Sequence, residues 1–201
     1  RSTRIALIGT YSPRKCGIAT FTTDLREKLG EFEPAINIDV YALAESASDI
    51  DYPYAAASID ADDAAAYREA AARINASAAE VVWLQHEFGI FGGPDGDMVC
   101  DFVDWIAAPL IVTLHTVLSE PSEAQHRIIV HLAQRASRIM VMAEHSREVL
   151  ATRYGVDRRR VVVIEHGAPE RPQGRELEFK ARLGLADRKV MMTFGLLGPG
   201  K

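Results

Sequence analysis

Short apolar runs alternate with helical patterns along most of this chain of 201 residues. Seven runs bounded by Gly, Pro or polar turn residues predict strands: Ile5–Ile8, Ile36–Tyr41, Val81–Leu84, Leu110–Leu114, Arg138–Met142, Val161–Ile164 and Val190–Phe194. Several runs are continuously apolar, which is typical of parallel strands covered by helices on both faces. The segments with helical periodicity are Thr20–Leu29, Asp62–Ser77, Asp97–Ile106, Glu120–Arg135, Ser146–Arg153 and Leu177–Leu183. This alternation predicts an α/β fold with a doubly wound, Rossmann-like parallel sheet.

Polar or glycine-containing segments follow five of the predicted strands. In doubly wound sheets the ligand binds at the carboxyl ends of the strands, so these segments form the candidate site. They are residues 9–17, 85–89, 115–116, 144–146 and 165–167. Four of the six histidines lie on them, which predicts one shared polar site.

The first of these segments, residues 9–17, differs from the dinucleotide fingerprint G-x-G-x-x-G, which disfavours a dehydrogenase of the Rossmann class. It carries the basic pair Arg14 and Lys15 and ends at Gly17, where a helix is predicted to begin. A glycine at a helix N-terminus suits phosphate binding through its backbone N–H. The alternative is that Gly17 only satisfies the geometry of the turn.

The second segment supplies an amide, an imidazole, a carboxylate and an aromatic wall, a combination that suits a hydroxyl-rich ligand. Its candidate residues are His86, Glu87, Phe88, Gly92 and Gly93. In the alternative interpretation, Phe88 and Phe91 fill the core and the polar groups stabilise the loop. A metal site of the H-E-x-x-H type is disfavoured, because Ile90 stands where the second histidine would be.

His115 follows a third predicted strand, where it could donate a hydrogen bond to an oxygen near a reacting centre or polarise it. Its alternative role is structural, with the imidazole satisfied by neighbouring backbone groups. The absence of a G-x-S-x-G motif disfavours a serine hydrolase.

The final segment, Gly195–Lys201, follows the last predicted strand and ends in a lysine. Glycines allow backbone N–H groups to approach a phosphate, and the lysine adds positive charge. The spacing also fits the Walker A pattern G-x-x-x-x-G-K, which requires a following Ser or Thr and a helix. We therefore expect the chain to be part of a larger protein, cut where a second nucleotide-handling domain begins.

Composition narrows the class of protein further. The net charge of −5, from 23 basic and 28 acidic residues, disfavours a dedicated nucleic-acid binder. Cys16 and Cys100 give neither a metal-ligand spacing nor a disulfide framework, which favours a reducing cytoplasm. No signal peptide or membrane-spanning apolar stretch is found, while peripheral contact with the inner face of the membrane stays open.

Five segments together resemble the bacterial family 4-type retaining glycosyltransferases, whose GT-B architecture pairs two Rossmann-like domains across a cleft. These segments are residues 13–21, 85–93, 114–116, 163–167 and 194–201. The resemblance implies that the chain is the N-terminal half of a GT-B fold. It implies an acceptor-side domain over residues 1–170, an interdomain linker over 171–187, and the first strand and phosphate loop of a donor-side domain over 188–201.

The resemblance also implies a role for each candidate residue. His115 would lie beside the transferred sugar and Lys201 would neutralise the diphosphate leaving group, which makes these two the catalytic residues. The implied donor phosphate site comprises Gly17, Arg14, Lys15, Gly198 and Gly200. The implied sugar or acceptor site comprises His86, Glu87, Phe88, Gly92, Gly93 and His166. Leu196 departs from the family, which commonly has an arginine shortly before the lysine.

The expected function is transfer of a sugar, with retention, from a nucleotide-sugar donor to a glycan, lipid or small acceptor. We expect no metal or other cofactor, and no nucleic-acid partner. The chain should be inactive without its carboxyl-terminal domain, because the carboxylate-bearing donor motif of the family is absent. Two alternatives stay open: a non-catalytic carbohydrate- or phosphate-binding module, and a fragment of a P-loop NTPase.

Overall fold

A computed structural model of the chain describes residues 2–45, 50–168 and 174–193. The chain divides into two compact units, Arg1–His166 and Gly167–Lys201. The predicted phosphate loop with Gly198, Gly200 and Lys201 lies outside the described residues, as does Leu196.

The first unit is built on a parallel sheet of seven strands: β1 (Thr3–Gly9), β2 (Ile36–Ala44), β3 (Ala57–Asp60), β4 (Val81–His86), β5 (Leu110–Leu114), β6 (Arg138–Val141) and β7 (Val161–Val163). Their order across the sheet is β3-β2-β1-β4-β5-β6-β7. Ile8 of β1 lies opposite Tyr41 of β2 on one side and Leu84 of β4 on the other. The strand order reverses between β1 and β4, which confirms the predicted doubly wound, Rossmann-like sheet.

Helices connect the strands and cover the sheet: α1 (Gly17–Phe32), α2 (Ala64–Ala76), α3 (Met98–Trp105), α4 (Glu123–Arg135) and α5 (Glu144–Tyr154). Between β4 and α3 the chain forms two short 3₁₀ turns, Phe88–Ile90 and Pro94–Gly96. The second unit contains α6 (Glu176–Arg182).

Side chains alternate between the two faces of the sheet, because successive residues of a strand point in opposite directions. Leu7 and Val40 belong to a buried cluster that includes Leu25 of α1. Ile8 and Leu84 belong to the main core, which also holds the buried faces of α2, α3, α4 and α5. The fold therefore has three layers, with α1 on one face of the sheet and most of the helical surface on the other.

The structure differs from the prediction at two strands. Strand β3 was missed, because its four residues include Ser58 and Asp60 and only Ile59 is fully buried and strongly apolar. It lies at the edge of the sheet, where a strand pairs with a single neighbouring strand. The predicted strand at 190–194 is wrong for residues 190–193, which form no regular structure, while Phe194 lies outside the described residues. A strand needs a hydrogen-bonded neighbour, and the seven-stranded sheet does not include this segment.

Polar side chains satisfy the carbonyl groups at the end of α3. Arg135 of α4 donates from its guanidinium to the carbonyl oxygens of Val103 at 2.8 Å and Ile106 at 3.0 Å. Its Nε also lies 3.2 Å from a carboxylate oxygen of Asp104. A helix end leaves carbonyl groups without intrahelical partners, so this arginine fixes α4 to the end of α3.

We predict that Arg135→Met lowers the free energy of unfolding by about 1–2 kcal/mol, because two carbonyl groups lose a charged donor. Arg127→Met is the matched control on the same helix, since Arg127 is 71% exposed and its pair with Glu123 is 3.9 Å long. The control should change stability by less than about 0.5 kcal/mol. Urea denaturation of both variants measures the difference, and equal effects would refute the capping role of Arg135.

Candidate functional site

The candidate site lies at the carboxyl edge of the sheet, around the reversal between β1 and β4. Three connections meet this edge: residues 10–16 after β1, residues 87–97 after β4 and residues 115–122 after β5. In doubly wound sheets the ligand occupies the crevice at this reversal. The side chains on these connections therefore decide what the edge can bind.

The connection after β1 ends in a well-formed helix start. The Sγ atom of Cys16 accepts a hydrogen bond from the backbone N–H of Ala19 at 3.3 Å and lies 3.2 Å from Oγ1 of Thr10. Gly17 is the first residue of α1 and is exposed. A Cβ atom added to Gly17 would meet nothing within 4 Å, and its φ is not positive. Neither packing nor turn geometry requires a glycine here, so the open space beside the helix N-terminus is the feature that a glycine preserves.

The two basic residues of this connection have different surroundings. The guanidinium of Arg14 lies 2.7 Å from a carboxylate oxygen of Glu45, and its side chain is only 17% exposed. Lys15 is exposed and forms no ion pair with any other residue that the structure describes. Lys15 is thus the member of the pair whose charge is available to an anion.

His115 lies at the centre of a cluster on the face of the sheet that α1 covers. Its Nε2 is 3.0 Å from Oε1 of Gln85, and its backbone N–H donates to the carbonyl of His86 at 3.0 Å. Its ring meets Phe21 of α1 edge to face at 4.8 Å, and Phe21 meets His166 at 5.5 Å. The structure therefore brings His115 and His166 together at the first turns of α1.

The imidazole of His115 is neutral at ordinary pH. Its partial burial, together with the nearby His166, lowers the pKa to about 4. A neutral imidazole offers one N–H donor and one lone pair. At neutral pH His115 can therefore form hydrogen bonds with a ligand but cannot supply a positive charge.

His86 points to the opposite face of the sheet from Gln85. It is fully buried, with its ring 5.7 Å from that of Phe91 and 5.0 Å from that of Phe88. Neither ring nitrogen has a hydrogen-bond partner within the described parts of the chain. Burial lowers its pKa to about 3, and His115 contributes to the same shift. The imidazole predicted to bind a sugar lies inside the core in this structure.

Glu87 joins two of the three connections. One carboxylate oxygen accepts a hydrogen bond from the hydroxyl of Thr116 at 2.6 Å, and the other accepts one from the backbone N–H of Phe88 at 3.0 Å. Phe88 packs half-buried against the main core. These contacts fit the loop-stabilising alternative for Glu87 and Phe88.

Gly92 and Gly93 are required by the packing of their own loop. A Cβ atom on Gly92 would lie 2.1 Å from the carbonyl oxygen of Ala61. Gly93 has a φ of 82°, and a Cβ there would lie 2.1 Å from a carboxylate oxygen of Asp97. The close approach of the Ala61 backbone explains Gly92, and the positive φ with the nearby Asp97 side chain explains Gly93, both without a ligand.

Gln85 and Phe21 were not predicted from the sequence as site residues, although both lie in segments that carry predicted site residues. The alternation of side chains between the two faces of β4 could have identified Gln85. The predicted strand ended at Leu84, whereas β4 continues through Gln85 to His86, so these two side chains point to opposite faces.

Within residues 2–45, 50–168 and 174–193, no group of three or more His, Cys, Asp or Glu side chains could hold a metal ion. No helix in the same ranges is long and apolar enough to cross a membrane.

Comparisons with known proteins identify the family and the fold. The sequence profile of Glycosyltransferase Family 4 matches residues 52–170, a span that contains His86, His115 and His166. A comparison with curated protein sequences gives no significant match.

Among solved structures, a glycosyltransferase from Rickettsia africae ESF-5 matches with a TM-score of 0.61 and 12% identity, over 92% of this chain and 50% of its own. The lipopolysaccharide outer core galactosyltransferase WaaB, in its apo form, has a TM-score of 0.59 and 11% identity, over 83% and 46% of the two chains. An alpha-glucosyltransferase in complex with UDP and a 13-mer DNA containing a HMU base has a TM-score of 0.56 and 14% identity, over 85% and 43%. The chain thus spans half or less of the length of these structures, and at such identities the likeness concerns the fold.

The two kinds of glycine at the site give a direct prediction. Gly92→Ala should lower the free energy of unfolding by more than about 2 kcal/mol, because the new methyl group would overlap the backbone of Ala61. Gly17→Ala should leave stability unchanged or raise it by up to about 1 kcal/mol, because alanine favours the helix and the space is open. Thermal denaturation compares the two variants. A large loss of stability in Gly17→Ala would show that the fold itself needs this glycine.

Burial of His86 predicts a specific dependence of stability on pH. The unfolded chain binds a proton at His86 below about pH 6.5, whereas the folded chain resists it down to about pH 3. Stability should therefore fall as the pH is lowered through this window, by about 1.6 kcal/mol between pH 6.5 and pH 5 from this residue alone.

His86→Leu should remove that part of the slope, as measured by urea denaturation from pH 7.5 to pH 5. Between pH 7.5 and pH 8.5 neither state titrates at this position, so the difference between the variant and the parent should stay constant there. An unchanged slope in His86→Leu would mean that the buried imidazole does not resist protonation.

Proposed function

This chain belongs to glycosyltransferase family 4, and from that premise we propose that it forms the acceptor-side domain of an enzyme that transfers a sugar from a nucleotide-sugar donor. The observation that carries the proposal is the position of His115. It lies at the carboxyl edge of β5, beside the strand reversal and against the first turns of α1. An imidazole at this edge of a doubly wound sheet is placed to contact a ligand in the crevice.

The N-terminus of α1 supports binding of the donor diphosphate. The start of α1 concentrates positive potential, and Gly17 leaves the space beside it open. Lys15 adds an exposed cation beside this position. We assign the donor phosphates to Gly17 and Lys15, with Arg14 holding the connection in place through Glu45. Gly198, Gly200 and Lys201 stay proposed donor-phosphate residues from the sequence pattern alone, because they lie outside the described residues.

The solved structures favour a uridine nucleotide as the donor. The alpha-glucosyltransferase of similar fold is described in complex with UDP and in complex with UDP-glucose. We therefore propose a UDP-hexose as the first donor to test. For the acceptor we propose a glycan, a lipid or a small molecule rather than nucleic acid, because the chain has a net charge of −5.

The proposed transfer proceeds with retention and depends on electrostatic stabilisation of the departing diphosphate. The amide groups at the start of α1 and the lysine side chains would bind the charge that develops on the leaving group. His115 would bind the transferred sugar as a neutral hydrogen-bonding group, because its pKa of about 4 leaves it uncharged at neutral pH. In this arrangement the protein positions the sugar and stabilises the leaving group.

The test is turnover of nucleotide sugars by the complete protein that carries this sequence, with this chain alone as a comparison. We predict that His115→Ala in the complete protein reduces kcat by roughly 10²-fold or more, with a smaller change in the affinity for the donor. His131→Ala is the control, because His131 contacts Asp104 on the outer surface of α3 and α4. Its kcat should stay within about twofold of the parent.

The possible outcomes separate the proposals. An unchanged kcat in His115→Ala would assign this histidine a structural role. Saturable binding of a carbohydrate or phosphate without turnover in the complete protein would instead support a non-catalytic binding module.

A further inference from the structure

Gln85 is a buried side chain with no evident benefit to the stability of the fold. It lies at the end of β4 on the face covered by α1 and is fully buried. Its Nε2 has no hydrogen-bond partner among the described residues. A buried amide donor without a partner is destabilising, so its presence calls for another explanation.

The only side-chain hydrogen bond of Gln85 within the described residues joins its Oε1 to Nε2 of His115, at 3.0 Å. A carbonyl oxygen can only accept, so the ring nitrogen that faces it must carry the hydrogen. A neutral imidazole carries one hydrogen, so Nδ1 of His115 is then a lone-pair acceptor. No described residue hydrogen-bonds this Nδ1.

The surroundings of Gln85 hold its amide in one place. A Cβ atom on Gly9 of β1 would lie 3.0 Å from Cβ and 3.2 Å from Cγ of Gln85, so the glycine makes room for this side chain. The same Cβ position is 3.2 Å from Oγ1 of Thr22, which donates to the carbonyl of Ile18 within α1. The glutamine is thus enclosed between β1, α1 and β5, with little freedom to leave His115.

We propose that Gln85 is a positioning residue that fixes His115 in the Nε2–H tautomer, so that Nδ1 accepts a hydrogen bond from a hydroxyl group of the bound ligand. Gln85 does not touch the ligand and acts through the imidazole. The edge-to-face contact with Phe21 at 4.8 Å also restrains the plane of the ring. A ligand at this position must therefore present a donor, as a sugar hydroxyl does.

The tautomer can be measured in this chain without any activity assay. Long-range ¹H–¹⁵N NMR spectra distinguish a protonated ring nitrogen from one that carries a lone pair, and His115→Ala assigns the signals. We expect one tautomer in the parent at pH 7, with the hydrogen on Nε2. In Gln85→Met, which keeps the length of the side chain but removes the carbonyl, the two nitrogen signals should shift toward averaged values.

Two further variants make the measurement decisive. Thr113→Val is the matched control, because Thr113 is equally buried and lies opposite Gln85 on β5, yet its hydroxyl bonds to Trp83 and Met140 rather than to His115. The tautomer in this variant should match that of the parent. Gly9→Ala displaces Gln85 without altering its amide, and it should release the tautomer as Gln85→Met does. Hydrogen on Nδ1 in the parent, or an unchanged pattern in both Gln85→Met and Gly9→Ala, would overturn the proposal.

A second readout rests on the proposed function. In the complete protein, Gln85→Met should lower kcat on the order of 10-fold to 100-fold with little change in KM, because a displaced imidazole loses its alignment with the sugar. An unchanged kcat in an active enzyme would overturn the positioning role. If the complete protein transfers no sugar at all, the proposed function fails, while the NMR result still decides whether Gln85 sets the tautomer.

Discussion

The parallel pairing of β1 with β4 is the constraint on which the candidate site depends. β2 and β3 extend the sheet in one direction from β1, and the last four strands extend it in the other. The connections that leave β1 and β4 must therefore separate, one toward α1 and the other toward α3. Strand order therefore sets where a crevice can form in such a sheet, before any side chain contributes to it.

The two residues at the end of β4 show how the sheet places neighbouring polar side chains in different surroundings. Gln85 and His86 are adjacent in sequence, yet one contacts His115 beside α1 and the other lies between Phe88 and Phe91 in the main core. We propose that the first influences a ligand through His115, whereas burial lowers the pKa of the second. Adjacent polar residues at a strand end thus serve different purposes according to the face that each one occupies.

Much of the fold could be predicted because the apolar runs are strong. The predicted limits of β5 coincide with the observed ones at Leu110 and Leu114, and the predicted starts of β2 and β4 are also correct. Strand β3 could not be found in this way, since Ser58 and Asp60 interrupt its apolar pattern and only β2 holds it in the sheet.

The site was harder to predict, because chain order does not reveal which side chains become enclosed. The sequence pattern predicted that His86, His115 and His166 share the carboxyl edge of the sheet. Only the structure shows that His86 is buried, apart from the other two. Likewise, Gly17 and Gly92 are both glycines, and only the structure shows that the space beside Gly17 is open while that beside Gly92 is filled by neighbouring backbone. The role of Glu87 depends on Thr116, which is 29 positions away in the sequence.

The hydrogen bond between Glu87 and Thr116 also limits how this site can vary. It ties the connection after β4 to the connection after β5 at the point where each one leaves the sheet. Insertions close to either residue would break the tie, whereas insertions at the exposed Ser119 and Glu120 would leave it intact. New specificities should therefore arise at the outer part of the loop after β5, above a base whose geometry stays the same.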